Sequence, residues 1–193
     1  MAKNGTRQAL FFDLHGILVR PWADREDYCN PTFYEGALDA LRRVDPSRMD
    51  LFVATNQPAV AEGVLRERDF KRFQEAVCQR FELEGIPLRK FYACLYDPKG
   101  KGRWRKESVF RKPNTGMFRM AEQEFDLNLR RCWLIGDTTT DILAGSRANL
   151  GTILVRTGAA GQDDSFQIRP HFEEDDFEAA IRRLNYYELS LTR

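Results

Sequence analysis

Acidic, hydroxyl and amino side chains stand at the ends of apolar runs in this 193-residue sequence. Asp13 closes the run ALFF, Thr55 closes LFVA, and Asp137 follows WLIG. Lys112 lies in RKPNTGM, directly before a helical pattern. Taken singly, each stretch is as well explained by a turn, a helix cap or a solvated loop. Their occurrence in this order along the chain predicts a shared site instead.

The chemistry that suits this set of residues is phosphoryl transfer, which depends mostly on positioning and charge stabilisation. Asp13 is placed to attack as a carboxylate nucleophile, giving an aspartyl-phosphate that water then hydrolyses. Asp13 and Asp137 together suit Mg²⁺, a hard cation that prefers carboxylates and water. Lys112 supplies a fixed positive charge, and Thr55 with nearby backbone N–H groups can bind phosphate oxygens.

The elements that must position these residues alternate along the chain. Helical patterns such as YEGALDALRRV, RERDFKRFQEAVCQRFELEG and FEAAIRRL separate the apolar runs. The alternation predicts an α/β fold with a doubly wound, Rossmann-like parallel sheet, whose ligands bind at the carboxyl ends of the strands. The candidate strands are QALFFDL, DLFVAT, KFYACLY, RCWLIG and GTILVR.

Two irregular stretches, residues 20–34 and 97–112, interrupt this alternation. Loops of this length in a compact domain are usually functional or disordered. Neither is long enough to form a cap domain, and no linker or repeat is present. The sequence therefore predicts one domain over residues 1–193, without a large cap.

Composition limits the possible partners and compartments. The formal net charge of +1 gives no overall field that favours nucleic acid or a membrane surface. No apolar run approaches the roughly 20 residues needed to span a bilayer, and MAKNGTRQAL lacks the apolar core of a signal peptide. The four cysteines are scattered, which is typical of buried thiols in a reducing compartment. We expect a cytoplasmic monomer or weak dimer acting on a small molecule.

The motifs FFDLHG, VATNQ, RKPNTGMF and GDTTTD, in this order, resemble those of the haloacid dehalogenase (HAD) superfamily of phosphohydrolases. TNQPAVAEG, RKPNTGMF and GDTTTDILAGSRANLGTILVRTG look most like its capless branch, which includes heptose bisphosphate, histidinol phosphate and polynucleotide 3′-phosphatases. The resemblance implies a Mg²⁺-dependent phosphatase acting on a small metabolite such as a sugar phosphate or bisphosphate. The roles it implies are Asp13 as nucleophile and metal ligand, the carbonyl of His15 and Asp137 as further metal ligands, Thr55 and Lys112 as phosphate ligands, Asp141 as the partner of Lys112, and Asn56 and Arg111 as substrate contacts.

The first departure from the family pattern is His15, which stands where the family has an aspartate acting as general acid and base. Three interpretations remain open. An imidazole, with an ordinary pKa of about 6.5, could take over the proton transfers. It could be a poor substitute, leaving an enzyme that needs a good leaving group. Alternatively, the protein could bind a phosphorylated ligand without turnover.

The second departure is the segment before RKPNTGMF. Heptose and histidinol phosphatases often carry a Cys/His zinc loop there, whereas YDPKGKGRWRKESVF has no cysteine or histidine, so we expect no zinc. We call residues 99–106 the basic loop. We expect it to contact a second anionic group of the substrate, although a solvated charge run is the alternative for each residue. Its relevant side chains are Lys99, Lys101, Arg103, Trp104, Arg105 and Lys106. A polynucleotide 3′-phosphatase, with Trp104 stacking on a base, is the alternative enzyme.

Overall fold

A computed structural model describes residues 7–22, 30–163 and 165–190 of the chain. Cys29 and the middle of the irregular stretch 20–34 lie outside the described residues. Within them, six strands are β1 (Gln8–Phe12), β2 (Met49–Asn56), β3 (Leu88–Cys94), β4 (Trp133–Gly136), β5 (Gly151–Val155) and β6 (Phe172–Glu174). The helices are α1 (Ala37–Arg42), α2 (Pro58–Ala61), α3 (Glu67–Leu83), α4 (Gly116–Phe125), α5 (Thr139–Ala148) and α6 (Phe177–Ser190).

The strands form one parallel sheet in the order β3-β2-β1-β4-β5-β6. The predicted α/β class and all five candidate strands are confirmed, but β6 was not predicted. It has only three residues, which is too short for apolar periodicity to register. The order reverses between β1 and β4, which places a topological switch point between the loops that carry Asp13 and Asp137.

Helices cover both faces of the sheet. Because neighbouring residues of a strand point to opposite faces, β1 contributes to two core clusters. Phe12 belongs to the core cluster that includes Phe70 of α3 and Phe177 of α6. Its neighbour Phe11 belongs to the other cluster, with Phe118 of α4. Strand β1 is buried along its whole length, whereas the edge strand β3 is only half-buried. In the part of the chain that the structure describes, no helix combines the length and apolar character needed to cross a bilayer.

Candidate active site

Three carboxylates converge at the switch point. Asp13 directly follows β1, Asp137 directly follows β4, and Asp141 lies in the first turn of α5. Each offers an oxygen within 4.8 Å of the others. The backbone N–H of Asp13 donates to the carbonyl of Ile135 at 3.0 Å, which extends the pairing of β1 with β4 up to the acidic residues. Parallel pairing of these two strands is therefore what brings Asp13 and Asp137 together.

Lys112 crosses from the loop before α4 into this acidic cluster. Its ammonium group contacts Oδ1 of Asp13 at 2.7 Å, Oδ1 of Asp141 at 2.6 Å and the carbonyl of Ala54 at 2.7 Å. The side chain is only 2% exposed. Burial by itself lowers the pKa of Lys112, but the carboxylates of Asp13 and Asp141 outweigh it and hold this pKa above its ordinary value. The lysine is therefore a permanent cation that neutralises part of the acidic cluster.

Asn56 holds the backbone of Lys112 in place. Its Nδ2 donates to the Lys112 carbonyl at 2.9 Å, and its Oδ1 accepts from the Lys112 N–H at 3.0 Å. This pairing, which the sequence did not reveal, fixes a loop residue to the end of β2. Thr55, immediately before it, is fully buried, and its hydroxyl accepts a hydrogen bond from Gln57 Nε2 at 3.0 Å. That Asn56 contacts substrate and Thr55 binds phosphate stays a prediction.

Asp141 is oriented by a capping box at the start of α5, which TTTD encodes as a threonine three residues before an acid. The Asp141 N–H donates to Thr138 Oγ1 at 3.1 Å, and the Thr138 hydroxyl donates to Asp141 Oδ2 at 2.6 Å. With Oδ2 occupied in this way, Oδ1 faces Lys112. The capping box therefore directs Oδ1 of Asp141 toward the ammonium group of Lys112; that Asp141 orients Lys112 for catalysis stays a prediction.

Asp137 lies in a cradle of backbone groups from the loop after β5. Ala159 N–H donates to its Oδ2 at 2.7 Å, and Gly161 N–H donates to its carbonyl at 2.7 Å. A Cβ at Gly16 would lie 2.3 Å from Asp137 Oδ2, and one at Gly158 would lie 2.1 Å from it. Both glycines have positive φ angles, +78° and +63°. The importance of Gly158 could not be read from the sequence, because Asp137, which it contacts, lies 21 positions earlier in the chain.

Replacement of Gly158 by alanine should displace the Asp137 carboxylate and reduce turnover. The methyl group adds a clash to the strain of the left-handed backbone, and overpacking costs about 1–3 kcal/mol. Gly63 is the matched control, since its φ is +76° and nothing lies within 4 Å of an added Cβ. Gly63→Ala carries the backbone strain alone, about 1–2 kcal/mol. We expect Gly158→Ala to lose more unfolding free energy in urea and to lower kcat/KM, with Gly63→Ala unchanged in kcat/KM. Equal effects in both variants would contradict the cradle.

The ring of His15 lies in an aromatic pocket. It packs edge-on to Trp22, with centroids 4.5 Å apart, and parallel to Phe73 of α3, with centroids 5.5 Å apart. Both ring nitrogens are buried and have no well-formed hydrogen bond among the described residues. Burial lowers the pKa of His15 to about 4, although the Arg20 backbone and the Gln57 side chain nearby raise it slightly. The imidazole is therefore neutral at pH 7.

The predicted basic contacts divide into two groups. Arg111 borders the acidic cluster, donating to the Tyr96 carbonyl at 3.2 Å and pairing with Asp97 at 2.6 Å. In the basic loop, Arg103 pairs with Glu67 at 2.6 Å and covers the ring of Trp104, which packs against Tyr96. Lys106 also lies over the Tyr96 ring. Lys99, Lys101 and Arg105 are exposed. Contact between this loop and substrate stays a prediction.

A cleft of about 450 Å³ lies at the acidic cluster, where Asp13 and Lys112 form part of its lining. Predicted residues on its walls are Asp13, Asn56, Arg111, Lys112 and Asp141, joined by Asp163, Ser165 and Phe166, which sequence reasoning missed. Of the residues predicted for the site, Thr55, His15, Asp137 and the basic loop do not line the cleft. Asp163, Ser165 and Phe166 belong to no motif, so only the structure shows that they line the cleft.

The acidic cluster fits a divalent cation. Three carboxylates surround one lysine, and burial, then the charges of Asp13 and Asp141, raise the pKa of Asp137 to about 7. A bound cation would stabilise the ionised form of Asp137. Asp141 is already engaged by Lys112 and Thr138, which leaves Asp13 and Asp137 as the carboxylates for a metal. Mg²⁺ usually takes only one or two protein carboxylates and completes its shell with water. The donor set therefore matches the expected cofactor.

Comparison with known proteins supports the same interpretation. The HAD-hydrolase-like family model matches residues 109–180. The chain is 36% identical over 149 residues to D-glycero-alpha-D-manno-heptose-1,7-bisphosphate 7-phosphatase of Burkholderia mallei, covering 77% of this chain and 79% of that protein. The chain belongs to the HAD-like phosphatases.

Two further comparisons agree with this assignment. The D-glycero-beta-D-manno-heptose-1,7-bisphosphate 7-phosphatase of Haemophilus ducreyi is 30% identical over 156 residues, which cover 80% of this HAD-like phosphatase and 86% of the relative. The fold is shared with D,D-heptose 1,7-bisphosphate phosphatase from B. bronchiseptica, a structure in complex with magnesium and phosphate. That structure has a TM-score of 0.80 and 20% identity, and the match covers 93% of this chain and 99% of the other. The capless architecture expected from the sequence is thus confirmed.

Proposed function

We propose that this single-domain protein hydrolyses a sugar phosphate, in particular a heptose bisphosphate, in a Mg²⁺-dependent reaction through an aspartyl-phosphate on Asp13. The observation that carries the proposal is the placement of Asp13. Its side chain lines the cleft, contacts the ammonium group of Lys112 and lies in the same acidic cluster as Asp137. The relatives named for heptose bisphosphate supply the substrate class. They include both the alpha and the beta anomer, so the proposal covers both.

The chain's own groups account for the two chemical steps. Lys112 donates to Oδ1 of Asp13, and we assign the attack on phosphorus to Oδ2. A bond forms between this oxygen and phosphorus as the bond to the ester oxygen breaks, and the ester oxygen leaves with the electron pair. Water then attacks the phosphorus of the aspartyl-phosphate, which releases inorganic phosphate and restores the carboxylate. Lys112 offsets negative charge throughout. Asp13, Asp137 and the His15 carbonyl would hold Mg²⁺, which would supply further positive charge beside the phosphoryl group.

The test is phosphate release from a panel comprising D-glycero-D-manno-heptose 1,7-bisphosphate, simple sugar phosphates, nucleotides and a 3′-phosphorylated oligonucleotide. Each is measured with Mg²⁺ and with excess EDTA. We expect release that requires Mg²⁺ and is fastest with the heptose bisphosphate. Preference for the oligonucleotide, with activity falling steeply as salt rises, would replace the proposal by the nucleic-acid alternative. Binding of Mg²⁺ and ligand without release would indicate a non-catalytic role.

We further propose that His15 packs the site rather than protonating the leaving group, because its ring nitrogens are buried and its ring is neutral. His15→Phe keeps the aromatic packing and should retain kcat/KM within about threefold. His15→Asp should accelerate release of poor leaving groups, since general acid catalysis contributes about 10²- to 10⁴-fold. A series of aryl phosphates with different leaving-group pKa values measures this directly. We expect log(kcat/KM) to fall steeply as the leaving-group pKa rises in the wild type and in His15→Phe, and less steeply in His15→Asp. A loss of 100-fold or more in His15→Phe would identify His15 as a working acid or base.

A further inference from the structure

One aromatic side chain lines the cleft beside Asp13 and Lys112. Phe166 is 37% exposed and belongs to neither of the two hydrophobic core clusters. Single exposed apolar side chains are common on folded domains, so the informative property of Phe166 is its position in the cleft. Its aromatic ring is accessible to a molecule bound there.

Phe166 and Asp163 are both hydrogen-bonded to Thr139. Its backbone N–H donates to the hydroxyl oxygen of Thr139 at 3.1 Å. Three residues earlier, the Asp163 carboxylate accepts from the Thr139 N–H at 2.7 Å and from the Thr139 hydroxyl at 2.8 Å. Thr139 is the first residue of α5, the helix whose first turn carries Asp141. Asp163 and Phe166 are thus bonded to the helix that carries Asp141.

The cleft combines two kinds of surface. The charged residues Asp13, Arg111 and Lys112 line it, with both cations paired to carboxylates, and Phe166 supplies an aromatic face, with Pro58 and Pro113 also among the lining residues. A cleft of about 450 Å³ lies within the range of pockets that take a whole small molecule. The matching ligand carries a phosphoryl group for the charged part and a ring with a C–H-rich face for the aromatic part. A sugar ring has both properties.

We propose that Phe166 is a specificity-determining residue that stacks on the sugar ring of the substrate while the phosphoryl group lies at Asp13. This inference rests on the proposed sugar phosphatase function and adds the surface that selects the ring. Pairs of aromatic rings contribute about 2- to 12-fold in binding beyond the area they bury, and we expect a sugar face on Phe166 to contribute within this range.

The experiment compares Phe166→Ala and Phe166→Trp with wild type on three probes: heptose 1,7-bisphosphate, a nucleoside monophosphate and acetyl phosphate, the last of which has no ring. Phe166→Ala should raise KM for the heptose about 3- to 10-fold with kcat within twofold, and should leave both constants for acetyl phosphate unchanged. Phe166→Trp, which keeps an aromatic ring at this position, should have a KM for the heptose close to that of the wild type. Tyr186→Ala is the matched control, because Tyr186 is a 72% exposed aromatic residue on α6 that does not line the cleft. It should leave the constants for all three probes unchanged.

The outcomes separate this inference from the function on which it rests. If the wild type hydrolyses heptose bisphosphate and Phe166→Ala leaves its KM unchanged, or changes the KM for the heptose and for acetyl phosphate equally, the stacking role is wrong and the function stands. If the KM effect is confined to nucleoside monophosphates, Phe166 selects a base and the sugar assignment is overturned. If the wild type hydrolyses acetyl phosphate but no sugar phosphate, both proposals fall.

Discussion

Asp13→Asn should abolish phosphate release while leaving the fold intact. The substitution keeps the shape of the side chain but removes the carboxylate that we assign to the attack on phosphorus. Loss of a covalent nucleophile reduces kcat by as much as about 10⁶-fold in a well-studied hydrolase, and we expect a loss of at least about 10⁴-fold here. Steady-state phosphate release on the heptose bisphosphate measures it. Rapid acid quench followed by intact mass spectrometry should detect a phosphorylated wild-type protein and no phosphorylated variant.

Asp45→Asn is the control for the Asp13 substitution, because Asp45 is an exposed turn residue that accepts hydrogen bonds from Ser47. It should leave kcat within twofold. Thermal unfolding of both variants separates loss of chemistry from loss of structure. If Asp13→Asn retains more than about 1% of the wild-type rate, another group attacks the phosphorus and the assigned nucleophile is wrong.

Lys112→Met should destabilise the protein more than any other single removal of a charge considered above. The substitution leaves Asp13 and Asp141 buried without the cation that lies within 2.7 Å of both. Removing one partner of a buried ion pair costs about 3–5 kcal/mol, because the remaining charge stays out of water. Urea denaturation without Mg²⁺ measures the loss of unfolding free energy. Turnover should fall with it, since the positive charge beside the nucleophile is gone.

The matched control for this loss is Lys71→Met, in which an exposed lysine loses a surface pair with Glu67 at 3.3 Å. Such pairs contribute below about 1 kcal/mol. Adding Asp141→Asn to Lys112→Met should recover part of the stability, because the uncompensated carboxylate is then neutral. A double-mutant cycle between the two positions should give a coupling energy of about 0.5–3 kcal/mol. A Lys112→Met variant as stable as Lys71→Met would show that the ion-pair network contributes little, and additivity would point the same way.

The α/β class, the five predicted strands and the acidic residues at the carboxyl edge of the sheet could all be predicted from the sequence. The reason is that buried parallel strands have a strong apolar signal, and their ends must lie side by side. Asp13, Asp137 and Asp141 follow from this, whereas the capping box that orients Asp141 was found only in the structure. Lys112 was found by its motif, because the strand pattern alone does not say where a distant loop returns.

The contacts of the remaining side chains became visible only in the folded protein. Asn56 pairs with the backbone of Lys112, Gly158 makes room for Asp137, and Phe166 forms a wall of the cleft. His15 lies against Trp22 and Phe73 instead of along the cleft. These contacts join residues far apart in the chain and depend on how loops close over the sheet, which neither periodicity nor spacing encodes. A sequence motif locates the chemistry at a strand end, but the packing of the loops sets the charge, access and shape of the site.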